Sequence, residues 1–191
     1  MVAEMNRVGL AVDMSHSGER ATLEAIEHST RLIAITDADP AHRHPALRNK
    51  SDTVLRALAA NGGMLGLSLY AHHLNGSSAC ALNDFRTMTA RLVELLGPAH
   101  VGIGSELCQD QPDSVVEWMR TGRWTKQIDY GEGSAAAPDF PPMPPWFGNN
   151  RDFGRIRAGL RAAGLSGDDI DAVMGENWRW FFEISFGPAA S

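Results

Sequence analysis

Two kinds of apolar run alternate along the chain. Short runs rich in β-branched residues, each closing in polar side chains, read as buried strands: Val8 to Asp13, Leu32 to Asp37, Met64 to Tyr70 and His100 to Glu106. Between them, apolar positions recur every three or four residues, which predicts amphipathic helices over Glu19 to His28, Asp52 to Ala60 and Phe85 to Leu96. Gly62 and Gly97 follow two of these helices, where a left-handed residue ends a helix well. Residues 1 to 7 read as the end of a helix that runs into the first strand without a cap. Strands separated by helix-length connections imply βαβ units, so the predicted fold class is α/β with four parallel strands and flanking helices.

After the fourth strand the pattern changes. A short helix is expected over Ser114 to Arg120, followed by a Pro/Gly-rich loop at residues 130–148 that cannot be regular structure. Helices are expected again over Asp152 to Ala163 and Asp168 to Met174, the second opened by Ser166 with Asp169 three residues on. Trp178, Trp180, Phe181 and Phe182 then form a docking patch, and Gly187 to Ser191 a frayed tail.

Composition narrows the class. The 191 residues are 43% hydrophobic and 21% charged, which suits one globular domain. A formal charge of −6 lacks the basic footprint that nucleic acid or an anionic membrane requires. The two cysteines, Cys80 and Cys108, stand too far apart for a C-x-x-C pair and fit a reducing compartment. No apolar leader and no membrane-length apolar stretch occurs, so the expected location is cytoplasmic.

Ligand sites in parallel β/α folds form at the carboxyl ends of the strands. The four strand ends deliver Asp13 with His16, Thr36 with Asp37 and Asp39, Tyr70 with His72 and His73, and Ser105 with Glu106. His16 is a candidate zinc ligand, or else a histidine bonded to a backbone carbonyl at a β/α turn. Asp37 and Asp39 alternate by two and offer hard oxygen donors to a divalent metal, or else form an Asx turn before Pro40. Arg48 can grip a substrate carboxylate, or else be a solvated arginine. Glu106 can move protons, or else cap the next segment. His42, His44, His72 and His73 are expected to be exposed rather than ligating.

Five segments in order carry a resemblance: Asp-Met-Ser-His at 13–16, His-Pro-Ala-Leu-Arg-Asn at 44–49 with Ser51-Asp52, Asn-Gly-Gly-Met-Leu-Gly at 61–66, Val-Gly-Ile-Gly-Ser-Glu at 101–106 and Met-Gly-Glu-Asn-Trp at 174–178. In this order and spacing the chain resembles the membrane (renal) dipeptidase family of zinc metallopeptidases, from about residue 5 to 183. The resemblance implies the C-terminal half of a (β/α)₈ barrel and hydrolysis of dipeptides or other small amides by a metal-activated water. It implies His16 and Asp37 as metal ligands, Arg48 and Tyr70 as substrate-carboxylate groups, and Glu106 as the acid/base. Members carry two zinc ions, and at most one partial site is expected here. The family's His-x-Asp pair and bridging glutamate have no counterpart in this chain. Asp37 stands where the family has a histidine ligand, and Glu106 is one methylene longer than the usual aspartate. Impaired activity is therefore expected. The rival expectation is a non-catalytic half-barrel that pairs with itself or with an N-terminal half. In such a half-barrel Leu10, Val12, Ile33, Ile35, Leu65, Leu67, Val101 and Ile103 are expected to face the open barrel interior.

Overall fold

The computed structural model describes residues 1–107, 109, 112, 114, 115 and 141–186. Helix α1 (Val2–Val8) precedes strand β1 (Val12–Asp13), α2 (Glu19–His28), β2 (Ile33–Ile35), α3 (Asp52–Ala60), β3 (Met64–Ser68), α4 (Leu82–Leu96) and β4 (Val101–Gly104). Helices α5 (Phe153–Ala162), α6 (Gly167–Asp171) and α7 (Asn177–Phe186) complete the described chain. The four strands form one parallel sheet in sequential order, with Val12 beside Ile33, Ala34 beside Met64 and Leu65 beside Val101. The β/α alternation predicted from periodicity is therefore present, and α2 and α3 carry the expected bounds. Cys108, residues 130–140 of the Pro/Gly-rich loop, the expected helix beyond Val115 and the tail at 187–191 lie outside the described residues.

The first strand is much shorter than its apolar run suggests. Val8 ends α1, and Gly9 at φ 77° caps it: the Gly9 N–H donates to Asn6 and the Leu10 N–H to Met5. That is a left-handed C-terminal cap, which an L side chain would strain, so the helix does have a stop and the strand begins only afterwards.

The two faces of the sheet divide differently from expectation. Val12, Ile33, Ile35, Leu65, Leu67 and Val101 are buried against the helices in the main core, with Ile103 partly buried beside them. They do not face an open interior, and Leu10, outside the strand, is exposed. The opposite face carries Ala34, Met64, Gly66, Gly102 and Gly104, and it is covered by Trp178 and Phe181 of α7. A Cβ on Gly102 would collide with the Trp178 indole, whereas one on Gly66 or Gly104 would first meet the Thr36 backbone, so Gly102 makes room for the aromatic plug and the other two for the end of β2. The Trp178 Nε1–H donates to Ile103 O at 3.1 Å, and Asn177 Nδ2 donates to Pro98 O and Val101 O at 2.6 and 2.8 Å, fixing α7 beneath β4. Of the predicted docking patch, Trp178 and Phe181 dock, whereas Trp180 and Phe182 stay exposed.

Ser166 caps α6 as predicted, accepting from the Asp169 N–H at 3.1 Å. Residues 141–148 have no regular structure, but they are anchored: Trp146 Nε1 donates to Cys80 O at 2.8 Å and Phe147 is fully buried. No helix among the described residues is long and apolar enough to cross a membrane.

Candidate functional site

All four strands point the same way, so their carboxyl ends bring Asp13, Asp37, Ser68 and the turn after Gly104 to one rim. Asp13 is a latch there. Its carboxylate accepts from the Ser15 N–H and hydroxyl at 3.1 and 2.6 Å, and from the Thr36 N–H and hydroxyl at 3.1 and 2.7 Å. Partial burial works to raise its pKa, but these hydrogen bonds outweigh burial and hold it below the ordinary value. Ser15 passes the link on by accepting from the Asp37 N–H at 3.1 Å. The ends of β1 and β2 are thus tied before Asp37 projects.

Asp37 is buried, and its Oδ2 lies 3.1 Å from Arg48 Nη1 and 3.6 Å from His73 Nδ1. The same Arg48 nitrogen stands 3.9 Å from Glu106 Oε1. Arg48 is itself buried, so a charged group inside the molecule meets two carboxyls from different strand ends. Burial pushes the Asp37 carboxyl up to about 8, and the charge and hydrogen bond of Glu106 add to this while Ser68 and Arg48 oppose it. The raised carboxyl of Asp37 thus meets the guanidinium of Arg48 in a poorly solvated setting, with Glu106 at the same nitrogen. Glu106 sits at φ 47°, a left-handed backbone that a non-glycine residue rarely adopts and that gathers at functional turns.

Three residues to which the sequence pattern gives no role in the site complete the rim, His73 among them, expected to be exposed. His73 is fully buried rather than exposed: the short turn Ala71–His73 folds it back under β3, where Nδ1 bonds the Ser68 hydroxyl at 2.8 Å. Burial, then the neighbouring Arg48, lowers its pKa to about 3, so the ring stays neutral. Asn49 clamps three segments, accepting from Asp39 N–H at 2.9 Å and donating to His44 O and His73 O at 2.8 Å each. Lys50 is buried and donates to Ser15 O and Ser17 O at 2.9 and 2.7 Å, holding the loop that carries His16 from both sides. Burial, aided by Arg48, lowers the Lys50 pKa to about 8. The run Arg48-Asn49-Lys50 was the available signal: three long polar residues in a row after a strand have work to do inside.

His16 lies on the exposed rim, close enough for its charge to act on His73. Tyr70 is buried at the end of β3, with edge contacts to His72 and His73 at 5.5 and 5.2 Å. The structure therefore gathers Asp37, Arg48, Tyr70 and Glu106 at one end of the sheet with His16 on its margin. Asp39 is fully buried with no hydrogen bond to either oxygen, and burial drives its pKa well above the ordinary value, which keeps it neutral. His42 is exposed as expected, while His44 and His72 are half-buried.

The donor set does not suit a resident zinc ion. Among the described residues no group of three or more His, Cys, Asp or Glu side chains could hold a metal. Catalytic zinc takes three protein ligands. Here Asp37 and Glu106 face a guanidinium, and the Nδ1 of His73 is engaged by Ser68.

Comparison with known proteins places this arrangement in context. The profile of the membrane dipeptidase family (peptidase family M19) matches residues 1–119. The dipeptidase aclJ of Aspergillus oryzae is 36% identical over 109 residues, which make up 56% of this chain and 26% of that protein. An amidohydrolase from Pseudomonas aeruginosa superposes on 98% of this chain and 56% of its own, with a TM-score of 0.82 and 26% identity. A metallopeptidase from Rhodobacter sphaeroides, solved with a phosphinate mimic of the dipeptide L-Ala-D-Ala, superposes with a TM-score of 0.73 at 22% identity, covering 96% of this chain and 45% of its own. The chain spans about half the length of these solved structures, and the aligned stretch about a quarter of the curated relative. Its four strands and flanking helices are half of a TIM-type barrel.

Proposed function

Because the chain belongs to the membrane dipeptidase family, we propose that its strand-end rim is the proton-transfer and substrate-facing part of a hydrolase site for dipeptides and related small amides. The cluster of buried Asp37 and Arg48 with half-exposed Glu106 carries this reading, because it sits at the strand ends, where barrel enzymes work. Glu106 is half-exposed beside the buried Asp37, a position open to a ligand that suits a group protonating a leaving amine. Arg48 offers charge-assisted hydrogen bonds to a substrate carboxylate that enters beside Glu106, at the cost of the looser 3.9 Å contact. Tyr70 forms the wall next to it. The neutral His73 and the Asn49 clamp keep the guanidinium in place.

Zinc is the metal the family implies, and its water-activating chemistry needs donors beyond the described set. The chain alone is therefore proposed to bind dipeptides but to turn them over slowly or not at all. The test is amine release from a panel of dipeptides and N-acyl amino acids, with and without added zinc, beside ligand-induced NMR shifts of the chain. Binding that is lost in Glu106→Gln or Tyr70→Phe, with turnover well under about 1 s⁻¹, supports the reading. Ordinary enzymatic turnover, or no perturbation by any amide, refutes it.

A second reading is a non-catalytic half-barrel that associates with itself or with an N-terminal half. The outer edges of β1 and β4 have no strand partner among the described residues, and Val8, Leu10, Phe182, Ile184 and Phe186 are exposed. A chain that binds no dipeptide yet associates stably would favour it. A cytoplasmic setting is proposed as well, on the buried free thiol of Cys80, which burial raises to about 11 and so keeps unreactive.

A further inference from the structure

We propose that the guanidinium of Arg48 is the resident cation of this rim, within reach of both Asp37 and Glu106 where a divalent metal would otherwise be held, so that the chain excludes zinc from these two carboxyls. The inference takes the rim as the ligand site, as above, but it concerns what neutralises that site rather than what it hydrolyses.

The first argument is geometric. One nitrogen, Arg48 Nη1, lies 3.1 Å from Asp37 Oδ2 and 3.9 Å from Glu106 Oε1, a central position with respect to donors from two strand ends. The side chains of Arg48 and Asp37 are 5% and 7% exposed, so neither charge can be compensated by water. A buried carboxyl needs a counter-charge or a proton, and the guanidinium is always charged. A divalent ion entering this space would meet a fixed positive charge at contact distance in a poorly solvated setting, where repulsion is strong.

The second argument concerns mobility. Arg48 could yield to a metal by swinging away from Asp37 or by moving with its backbone, and its two sequence neighbours oppose the second. Asn49 makes three hydrogen bonds, to Asp39, His44 and His73, and Lys50 makes two, to Ser15 and Ser17. These five bonds fasten the backbone on the C-terminal side of Arg48 to the ends of β1, β2 and β3. The cation is thus preorganised.

The experiment measures metal binding rather than hydrolysis, so its outcome is separable from the fate of the dipeptide reading. The purified chain, stripped with chelator, is titrated with zinc chloride by calorimetry and then desalted for metal analysis, with Co²⁺ absorption as a second readout. The unmodified chain is expected to retain no stoichiometric zinc. Arg48→Met and Asp37→His, checked for folding by circular dichroism, each remove one side of the internal pair and are expected to tighten zinc by about tenfold or more, the scale on which groups around a metal act. Stoichiometric zinc in the unmodified chain overturns the assignment, and so do two folded variants that gain nothing. Should both variants unfold, the titration of the unmodified chain decides alone: retained zinc refutes the proposal and a zinc-free chain supports it.

Discussion

Removing the Asn49 side chain should cost more stability than its size suggests. Asn49 is 8% exposed, and its amide ties together the exit of β2 through the Asp39 N–H, its own loop through His44 O, and the turn after β3 through His73 O. Each hydrogen bond contributes about 1 kcal/mol net, but a buried group left without a partner costs about 1–3 kcal/mol. Asn49→Ala leaves one donor and two acceptors so stranded, one of them, His44 O, in a bond with a partly exposed end. A loss of about 3–5 kcal/mol follows, a large part of the roughly 5–15 kcal/mol that holds a domain together. Asn49→Asp keeps the acceptor for Asp39 N–H but turns an oxygen toward two carbonyl oxygens, and it should be no more stable than the alanine variant. Urea unfolding followed by circular dichroism measures both. Exposed Asn83, which only accepts from Arg86 on the surface of α4, serves as the control and should move stability by less than about 0.5 kcal/mol when changed to alanine. A loss below about 1 kcal/mol in Asn49→Ala, or an Asn49→Asp variant as stable as the parent, would show that the rim is not held by this clamp.

Other expectations follow from the same packing. Stability should fall as pH rises from about 6.5 to 8, because Asp37 keeps its proton in the folded state up to about 8 but loses it near 3.8 when unfolded; above 6.5 the opposing contribution of His73, folded pKa about 3, is already complete, and that of Lys50 begins only near 8. Asp37→Asn should flatten this fall by about 1–2 kcal/mol, measured as urea midpoints at the two pH values, and an unchanged slope would remove Asp37 from the account. Gly102→Ala drives a methyl into the Trp178 indole and Met64, and should destabilise by about 1–3 kcal/mol in thermal unfolding, whereas Gly154→Ala, with open space around it, should not. Light scattering at micromolar concentration should show association rather than a monomer, through the bare strand edges and the exposed Val8, Leu10, Phe182, Ile184 and Phe186.

The β/α order was legible in the sequence because periodicity reports which side of an element is buried, and that is a local property. What local pattern could not report is which of two apolar partners buries it. Ile33, Ile35, Leu65 and Leu67 are apolar whether they face helices or a barrel interior, and the alternation that separates the cases lies in small neighbours on the other face: Ala34, Gly66, Gly102. Glycines at alternate positions of adjacent strands mark a face that something bulky approaches, and the bulk arrives from Trp178, more than seventy residues downstream of Gly102. The length of β1 was overestimated for a related reason. Val8 and Leu10 are apolar but stay exposed, since Gly9 turns the chain between them.

The site divides along the same line. Residue types at strand ends were readable, and Asp37, Tyr70 and Glu106 stand where the alternation put them. Their electrostatic partners were not readable, because neutralisation is settled in three dimensions. Arg48, eleven positions after Asp37, reads in the sequence as a group for a substrate carboxylate, and its nearest contacts in the fold are the protein's own carboxyls. His73 reads as an exposed loop histidine, but a three-residue turn is enough to bury it beside Ser68. Both follow from one physical condition: once Asp37 is buried, its charge must be met by a proton, a cation or a hydrogen bond within reach. Arg48 and His73 both approach Asp37 Oδ2, and the chemistry available to a ligand is what remains of Arg48 and Glu106 beside it.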